Sequence, residues 1–456
     1  MMQENTNIKV VRAILLLVFI ILSCRIYYIV GYSNLAVHQY NPRLSQLEDS
    51  VSRGNFYDEN GIVLAYTNND ERYYSYDERY AHVIGYSDYG KYGLEQILNQ
   101  NLLSPTYNLI EILKYTFTKN NFSGQNITLT INNDLQSIAE ESLQNETGAI
   151  VMIEPQTGKI KAMYSSPSFN PNTIASEWNT LSQDTANAPL FNRATQGLYP
   201  PGSTFKIVST LSLLENYPDF WQDIHYTCNG YIEVGEYKIR CFNGNVHGNI
   251  NVEEAFAVSC NSFYVNLKNY ISTSQLENTA ENLLFNSELL TNIDIKKSQV
   301  DVVNADEFNQ LLAYIGQGKT LVTPFQMAMI SCAIANDGVL MNPYYVDEIT
   351  NASAKQVEKF LPSYYDNILT EEHAIILQNM MKKTVETGTG IHLNDLDLSI
   401  GIKTGTAQIN DENSHSWVVG FANNDEKEIA FVVIIENKDT GSVNITKNLL
   451  TQYFNL

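Results

Sequence analysis

Three short motifs in this sequence carry residue types suited to nucleophilic chemistry. They are Ser203-Thr204-Phe205-Lys206, Ser259-Cys260-Asn261 and Lys403-Thr404-Gly405-Thr406. A serine hydroxyl is a poor nucleophile until a neighbouring base removes its proton. Lys206 follows Ser203 by three positions, so a helix that begins here places both side chains on one face. We predict that Ser203 is a catalytic nucleophile and that Lys206, made partly neutral by burial, is its base.

The second motif offers groups that can move a proton and orient its neighbours. The hydroxyl of Ser259 can relay a proton towards a leaving amine. The amide of Asn261 can bond a substrate carbonyl and can also hold Lys206 in place. Both residues are therefore predicted to be catalytic.

The third motif is suited to binding a substrate that ends in a carboxylate. Lys403, predicted to be catalytic, brings positive charge to that carboxylate, and Thr404 adds a hydroxyl partner. Gly405 lets a substrate backbone approach the edge of a strand closely. The backbone N–H groups of Ser203 and Thr406 are candidates for an oxyanion hole. Thr404, Gly405 and Thr406 are accordingly predicted to bind substrate.

Each of these motifs has an ordinary structural explanation when it stands alone. Ser-x-x-Lys also occurs at a capped helix, Ser-x-Asn at a turn, and Lys-Thr-Gly-Thr at the end of a strand. The three together, in one order, are far more specific, because a single chain rarely contains all of them by chance.

The composition is that of a globular protein that does not bind nucleic acid. Of the 456 residues, 44% are apolar and 17% are charged, and the net charge is −22. A phosphate backbone would be repelled by this charge. We expect no cofactor.

The five cysteines form neither a Cys-x-x-Cys pair nor a spacing typical of metal ligands, so no metal site is predicted. Cys228 and Cys241 flank a short segment that is typical of a hairpin. A disulfide between them and two free thiols are alternatives that the sequence leaves open. Cys260, inside the second motif, is expected to be a small packing residue.

The N-terminus predicts export of the chain. Lys9 and Arg12 precede an apolar run, and the segment 10–30 has about the 20 residues that a membrane-spanning helix needs. Basic residues on its N-terminal side place that end in the cytoplasm. The preferred interpretation is a single-pass anchor with the catalytic domain outside the cell. A lipoprotein attached through Cys24 and a cleaved signal peptide are the alternatives.

The remaining pattern predicts an α+β fold with strands at both ends and helices between them. Residues 53–65 predict a hairpin with its turn at Asn60-Gly61, and residues 148–164 predict another. Strands are predicted over 398–404, 416–422 and 429–436, and helices over 204–215, 252–270, 371–386 and 443–454. Asn133 or Asp134 is the expected cap of a helix that follows. The predicted units are residues 1–30 (tail and anchor), 31–125 (an N-terminal pedestal, dimerisation-like) and 126–456 (the catalytic domain).

With these motifs in place, the sequence resembles class B penicillin-binding proteins along nearly its whole length after the anchor. The three motifs match the family's set for serine acyl transfer. Further similar segments are Arg53-Gly54, Gly93-Leu94-Glu95, Gly316-Gln317-Gly318 and Gly388-Thr389-Gly390. One departure is Ile402, which stands before Lys403 where a small residue is common.

The resemblance implies a serine β-lactamase-like transpeptidase domain with an antiparallel five-stranded sheet. It also implies D,D-transpeptidase activity on peptidoglycan stem peptides that end in D-Ala-D-Ala, through an acyl-enzyme that β-lactams would block. The implied partners are a polytopic membrane glycan polymerase and scaffolds of division or elongation. A D,D-carboxypeptidase, a serine β-lactamase and a β-lactam sensor or scaffold without turnover are alternatives, since they share the fold.

Overall fold

The structure is a computed structural model, and it describes residues 6–32, 48, 51–105, 122–409 and 413–455. Its strands in these ranges are β1 (Val51–Ser52), β2 (Phe56–Tyr57), β3 (Val63–Asn68), β4 (Glu71–Tyr74), β5 (Phe122–Ser123), β6 (Asn126–Leu129), β7 (Gly148–Ile153), β8 (Ile160–Ser166), β9 (His225–Cys228), β10 (Tyr231–Val234), β11 (Tyr237–Arg240), β12 (Gly248–Asn251), β13 (Val339–Met341), β14 (Val346–Thr350), β15 (Gln356–Lys359), β16 (Tyr364–Asn367), β17 (Ser399–Gln408), β18 (Ser414–Asn423) and β19 (Glu428–Ile435). Its α-helices are α1 (Thr6–Tyr32), α2 (Leu94–Ile97), α3 (Asn99–Leu102), α4 (Asn133–Ser142), α5 (Ile174–Gln183), α6 (Lys206–Asn216), α7 (Val252–Ala257), α8 (Asn261–Asn266), α9 (Thr273–Asn282), α10 (Glu307–Ala313), α11 (Pro324–Ala335), α12 (Glu371–Thr387) and α13 (Ser442–Asn455).

Helix α1 contains the segment that was predicted to cross a membrane. Arg12 and Arg25 confine its uninterrupted apolar run to residues 13–24, which is short of the about 20 residues that a bilayer needs. Among the residues that the structure describes, no helix is both long enough and apolar enough to cross a membrane. The predicted transmembrane helix over 10–30 is therefore not confirmed.

The central sheet has five antiparallel strands in the order β17-β18-β19-β7-β8. Strand β19 pairs with β7 over Ala430–Ile435 and Gly148–Ile153, so the C-terminal strands join the first hairpin of the domain. This pairing confirms the predicted α+β layout and its five-stranded sheet. Strand β17 lies at the edge of the sheet and leaves one side of its backbone free to pair.

Helices cover both faces of this sheet, so the side chains on both sides of its strands are apolar. Val432 and Ile434 pack into one core with α6 and α11, whereas Val433 and Phe431 pack into a second core with α4 and α13. Successive side chains of a strand point to opposite faces, which is why neighbouring residues belong to different cores. A sheet between two helical layers results, with the three motifs on the side of α6.

A second sheet contains the predicted N-terminal hairpin. Its order is β15-β14-β6-β2-β3-β4. Strands β2 and β3 are antiparallel, and Asp58 Oδ1 accepts hydrogen bonds from the N–H groups of Asn60 and Ile62 in the turn between them. The predicted hairpin is present. The boundary at residue 125/126 stays a prediction, since this sheet takes strands from both sides of it.

A buried ion triad holds this N-terminal region together. Glu95 is fully buried, and its two carboxylate oxygens lie 2.7 Å from Arg53 Nη2 and 2.7 Å from Arg72 Nε. Burial by itself raises the pKa of Glu95, but the positive charges of Arg72 and Arg53 outweigh it and lower that pKa. The triad joins β4 to the short helix α2.

Two details of the predicted elements are wrong. The helix predicted over 252–270 is broken into α7 and α8, because Ser259 between them has a left-handed φ of +58°. The cap of α4 is Asn132, whose side chain accepts a hydrogen bond of 2.9 Å from Leu135 N, and not Asn133 or Asp134.

Candidate active site

Ser203 lies on a tight turn that leads directly into helix α6. The turn is a 3₁₀ helix, Gly202–Phe205, and Lys206 is the first residue of α6. Gly202 has a φ of +52°, which favours glycine, and its N–H donates to the carbonyl of Gly316 at 2.9 Å. The turn leaves Ser203 half-buried, while Lys206 is fully buried.

The amine of Lys206 is held by three oxygens of the second motif. It donates to the carbonyl of Ser259 at 2.7 Å, to Ser259 Oγ at 3.1 Å and to Asn261 Oδ1 at 2.8 Å. Burial lowers the pKa of Lys206 to about 7, although the nearby thiols of Cys260 and Cys241 act in the opposite direction. A substantial fraction of Lys206 is therefore neutral near neutral pH and able to accept a proton.

Ser259 and Asn261 reach Lys206 because the chain turns sharply between α7 and α8. The left-handed φ of Ser259 directs its hydroxyl and its carbonyl towards the same amine. Asn261 begins α8, and its Nδ2 donates to the carbonyl of Arg240 at 2.9 Å. The amide thus links Lys206 to the end of strand β11.

Lys403 lies on the edge strand β17 and is fully buried. Its Nζ donates to Ser259 Oγ at 2.9 Å and to the carbonyl of Thr404 at 3.0 Å. Burial, and then the positive charge of Lys206, lower the pKa of Lys403 well below its usual value. The hydroxyl of Ser259 therefore lies between the two lysines and accepts from both.

The next residues of β17 face the turn that carries Ser203. A Cβ atom on Gly405 would lie 3.0 Å from Thr204 Cγ2 and 3.1 Å from the carbonyl of Pro201. Gly405 was predicted to let a substrate approach the strand closely. In the structure, the atoms nearest to Gly405 belong to the turn that carries Ser203. Thr404 Oγ1 lies 2.6 Å from Thr389 Oγ1.

The three motifs meet at one open groove of about 1160 Å³. Ser203, Ser259, Asn261, Thr404, Gly405 and Thr406 line it, and the buried Lys206 and Lys403 connect to it through their hydrogen bonds to Ser259. Other lining residues come from outside the motifs, and of these only Gln317 and Thr389 lie in the short segments that the sequence analysis quoted. They include Phe242, Phe308, Gln317, Thr389, Gln408 and Trp417.

Beside this groove the structure collects four residues that could hold a metal ion. They are Cys228, Cys241, His247 and Cys260, and their ligand atoms all lie within 4.8 Å of one another. The sequence interpretation missed this cluster because its members come from separate turns. All three cysteines are free thiols, so the alternative of a Cys228–Cys241 disulfide is wrong for this structure. Cys260 is more than a packing residue, since its sulfur also accepts from Phe263 N at 3.4 Å.

Comparison with known proteins assigns the family. The model of the penicillin-binding protein transpeptidase domain matches residues 148–454. The chain belongs to the penicillin-binding protein transpeptidase family. The matched range contains all three motifs and the whole five-stranded sheet, so the predicted transpeptidase fold is confirmed.

Two named relatives of this transpeptidase are peptidoglycan D,D-transpeptidases. PbpA of Mycolicibacterium smegmatis is 28% identical over 95% of this chain and 94% of its own length. MrdA of Acinetobacter baumannii is 28% identical over 80% of this chain, and the match spans 63% of the relative's length. These relatives confirm the resemblance to class B penicillin-binding proteins.

A solved structure shows the same architecture. Penicillin-binding protein A of M. tuberculosis, determined as an imipenem acyl-enzyme complex, is 27% identical to this transpeptidase with a TM-score of 0.81. The alignment covers 89% of this chain and 99% of that one. That protein forms a covalent bond with a β-lactam.

Proposed function

We propose that this chain is a peptidoglycan D,D-transpeptidase that works through an acyl-enzyme on Ser203. One observation carries the proposal: Ser259 Oγ accepts hydrogen bonds from Lys206 at 3.1 Å and from Lys403 at 2.9 Å, beside the groove that Ser203 lines. This arrangement provides a base and a proton relay in one hydrogen-bonded network, beside the groove that the nucleophile lines.

We infer that the donor stem peptide binds along the free edge of β17. An extended peptide can add to an exposed sheet edge through backbone hydrogen bonds. Its terminal carboxylate would lie near Lys403 and the hydroxyls of Thr404 and Thr406. The penultimate D-Ala carbonyl would then lie against Ser203, with the N–H groups of Ser203 and Thr406 available to its oxygen.

The proposed reaction has two halves that share these groups. Lys206 removes the proton of Ser203, whose Oγ attacks the penultimate D-Ala carbonyl, and that proton passes from Lys206 through Ser259 to the nitrogen of the departing D-Ala as the peptide bond breaks. The amine of a neighbouring stem peptide then attacks the ester and gives its proton to Lys206 as the tetrahedral intermediate forms. Collapse of that intermediate breaks the ester bond and returns a proton to Ser203. Asn261 holds Lys206 in position throughout.

The proposed cellular setting is the outer face of the membrane, where the stem peptides lie. The basic N-terminus followed by an apolar run supports export. A polytopic membrane glycan polymerase is the proposed partner, since the acceptor strands must be made beside the transpeptidase.

The test is covalent labelling of the full-length chain with a fluorescent penicillin. We expect a label that persists for hours on wild type, none on Ser203→Ala, and full labelling of Ser176→Ala, which changes an exposed serine of α5 that does not line the groove. Rapid loss of the label with hydrolysis of the drug would indicate a β-lactamase instead. Folded wild-type protein that takes no label would contradict the proposal.

A further inference from the structure

A loop of three residues, 316–318, contacts the turn that carries Ser203. Its two glycines have left-handed φ values of +70° and +75°. The carbonyl of Gly316 accepts a hydrogen bond of 2.9 Å from the N–H of Gly202, and a Cβ on Gly316 would lie 2.2 Å from the carbonyl of Gly202. The loop is therefore packed directly against the turn, and Gln317 at its centre lines the groove.

The side chain of Gln317 pairs with the backbone at the last residue of β17. Its oxygen accepts from the N–H of Gln408 at 3.0 Å, and its nitrogen donates to the carbonyl of Gln408 at 3.2 Å. This is the amide orientation that satisfies both groups, since the opposite one sets oxygen against oxygen. Gln317 thus makes the two hydrogen bonds that one residue of a neighbouring strand would make.

The position of this pair shows which backbone groups of β17 face the groove. In an antiparallel strand, the N–H and C=O of one residue point to one neighbour, and those of the next residue point to the other side. Ile409 N donates towards β18, to the carbonyl of Asn413 at 2.9 Å, whereas Gln408 turns both groups to Gln317. By the same alternation, Thr406 and Thr404 turn their N–H and C=O groups to the free edge.

A donor peptide on this edge would approach Gln408 with its N-terminal part. In the proposed function, the terminal carboxylate lies near Lys403 and the penultimate D-Ala carbonyl lies at Thr406, so the peptide runs antiparallel to β17. If the penultimate D-Ala pairs with Thr406, the residue two positions before it in the peptide would pair with Gln408. The amide of Gln317 already occupies that position.

We propose that Gln317 is a specificity-determining residue that ends the substrate-binding edge of β17 at Gln408. The edge then accepts only the last three residues of a donor peptide, which are the terminal D-Ala, the penultimate D-Ala and the residue before them. Any preceding part of the donor must leave the strand edge, so it need not be an extended α-linked peptide. This inference rests on the proposed function and adds the length of donor that the site recognises.

The loop itself does not depend on the side chain of Gln317. The N–H of Gln317 donates to the carbonyl of Leu312 at 3.1 Å, and the bond between Gly316 and Gly202 is also made by backbone atoms. Gln317→Ala should therefore fold and keep the turn of Ser203 in place. Gln317→Glu is a nearly isosteric second variant, because a carboxylate cannot donate to the carbonyl of Gln408.

The first test measures hydrogen exchange at the N–H of Gln408 in the full-length protein. We expect this amide to exchange about tenfold faster or more in Gln317→Ala, because its hydrogen bond is lost, and also faster in Gln317→Glu. Gln144→Ala, which changes an exposed glutamine that does not line the groove, should leave the exchange unchanged. Equal exchange in wild type and Gln317→Ala would show that the pair does not form and would overturn the inference.

The second test measures donor length without requiring turnover. Two α-linked peptides, acetyl-Lys-D-Ala-D-Ala and acetyl-Ala-Ala-Lys-D-Ala-D-Ala, compete with a fluorescent penicillin for Ser203. We expect both peptides to slow labelling equally in wild type and in Gln144→Ala. In Gln317→Ala the longer peptide should bind roughly fivefold tighter than the shorter one or more, since each net hydrogen bond changes affinity by about that factor.

The other outcomes each decide one point. A longer peptide that already binds tighter to wild type would show that the edge continues past Gln317. Equal weakening of both peptides in Gln317→Ala would mean that Gln317 only supports the groove, and labelled wild type that neither peptide protects would mean that the donor does not bind at β17. Each of these results overturns the inference. If wild type takes no label at all, the proposed function fails, and the exchange of the Gln408 amide still decides whether Gln317 closes the edge.

Discussion

At the scale of single residues, the site places two lysines against one hydroxyl. Lys206 and Lys403 are both fully buried, and both donate to Ser259 Oγ. Burial lowers the pKa of both lysines, and the positive charge of Lys206 lowers that of Lys403 further. Burying the two lysines destabilises the folded protein, but it also leaves Lys206 neutral enough to act as a base.

The pH dependence of acylation follows from Lys206. The neutral amine is the proposed base, and its pKa is about 7, so acylation should rise as pH increases through 7 and then level off. On the acid side the rate should fall about tenfold per pH unit. Measuring the acylation rate constant with penicillin across this range provides the test, and a flat profile through pH 7 would exclude Lys206 as the titrating base.

Replacement of Lys403 should separate activity from stability. Lys403→Met removes a buried charge next to Lys206, and we expect a gain of the order of 1 kcal/mol in unfolding free energy. Acylation should fall at least 100-fold, because Ser259 and the substrate carboxylate lose their cation. Denaturant unfolding and penicillin labelling measure the two effects. Lys319→Met, which changes an exposed lysine, should alter neither, and a destabilised Lys403→Met variant would contradict the argument.

At the scale of elements, the sequence predicted long regular segments well and their interruptions poorly. Strands β17, β18 and β19 and helix α12 were predicted within a few residues, since their apolar patterns extend over several turns or pleats. The break at Ser259 was missed because its left-handed φ is imposed by distant contacts with Lys206 and Lys403. The thiol and histidine cluster was missed for the same reason, since strand pairing rather than spacing assembles it.

The contact between β17 and the turn of Ser203 is also testable. Gly405→Ala introduces a Cβ about 3.0 Å from Thr204 and 3.1 Å from the carbonyl of Pro201, so the turn must move. A displacement of about 1 Å can cost roughly 100-fold in rate, and we expect acylation to fall by that order while the protein stays folded. Gly61→Ala places a Cβ that meets nothing within 4 Å on a backbone with a φ of +83°, so it should cost some stability but leave acylation unchanged. Equal acylation rates in Gly405→Ala and wild type would show that the turn tolerates the methyl group.

At the scale of the whole molecule, two sheets depend on residues far apart in the chain. Strand β6 pairs with β2 of the N-terminal hairpin and with β14, which follows the active-site helices in sequence. The five-stranded sheet likewise closes only when β19 pairs with β7. Both sheets therefore depend on pairing between strands that are distant in sequence. We expect substitutions in the N-terminal region to lower the stability of the fold rather than to change the reaction at Ser203.

We expect the largest loss of stability from a substitution in the triad of Glu95 with Arg53 and Arg72. Glu95→Gln leaves the buried guanidinium group of Arg72 without its carboxylate partner and leaves Arg53 with the more distant Glu48, 3.8 Å away. We expect a loss of about 3–5 kcal/mol in unfolding free energy. Asp395→Asn, which breaks the exposed ion pair with Lys447, should cause no measurable loss.

The pKa of Glu95 is lowered on folding, so the triad stabilises the protein above the unfolded carboxyl pKa of about 4.3 and its contribution declines as pH falls below that value. Denaturant unfolding at neutral and acidic pH measures both effects. The difference between wild type and Glu95→Gln should narrow in acid, and a difference that does not depend on pH would mean that packing, rather than charge, accounts for the loss.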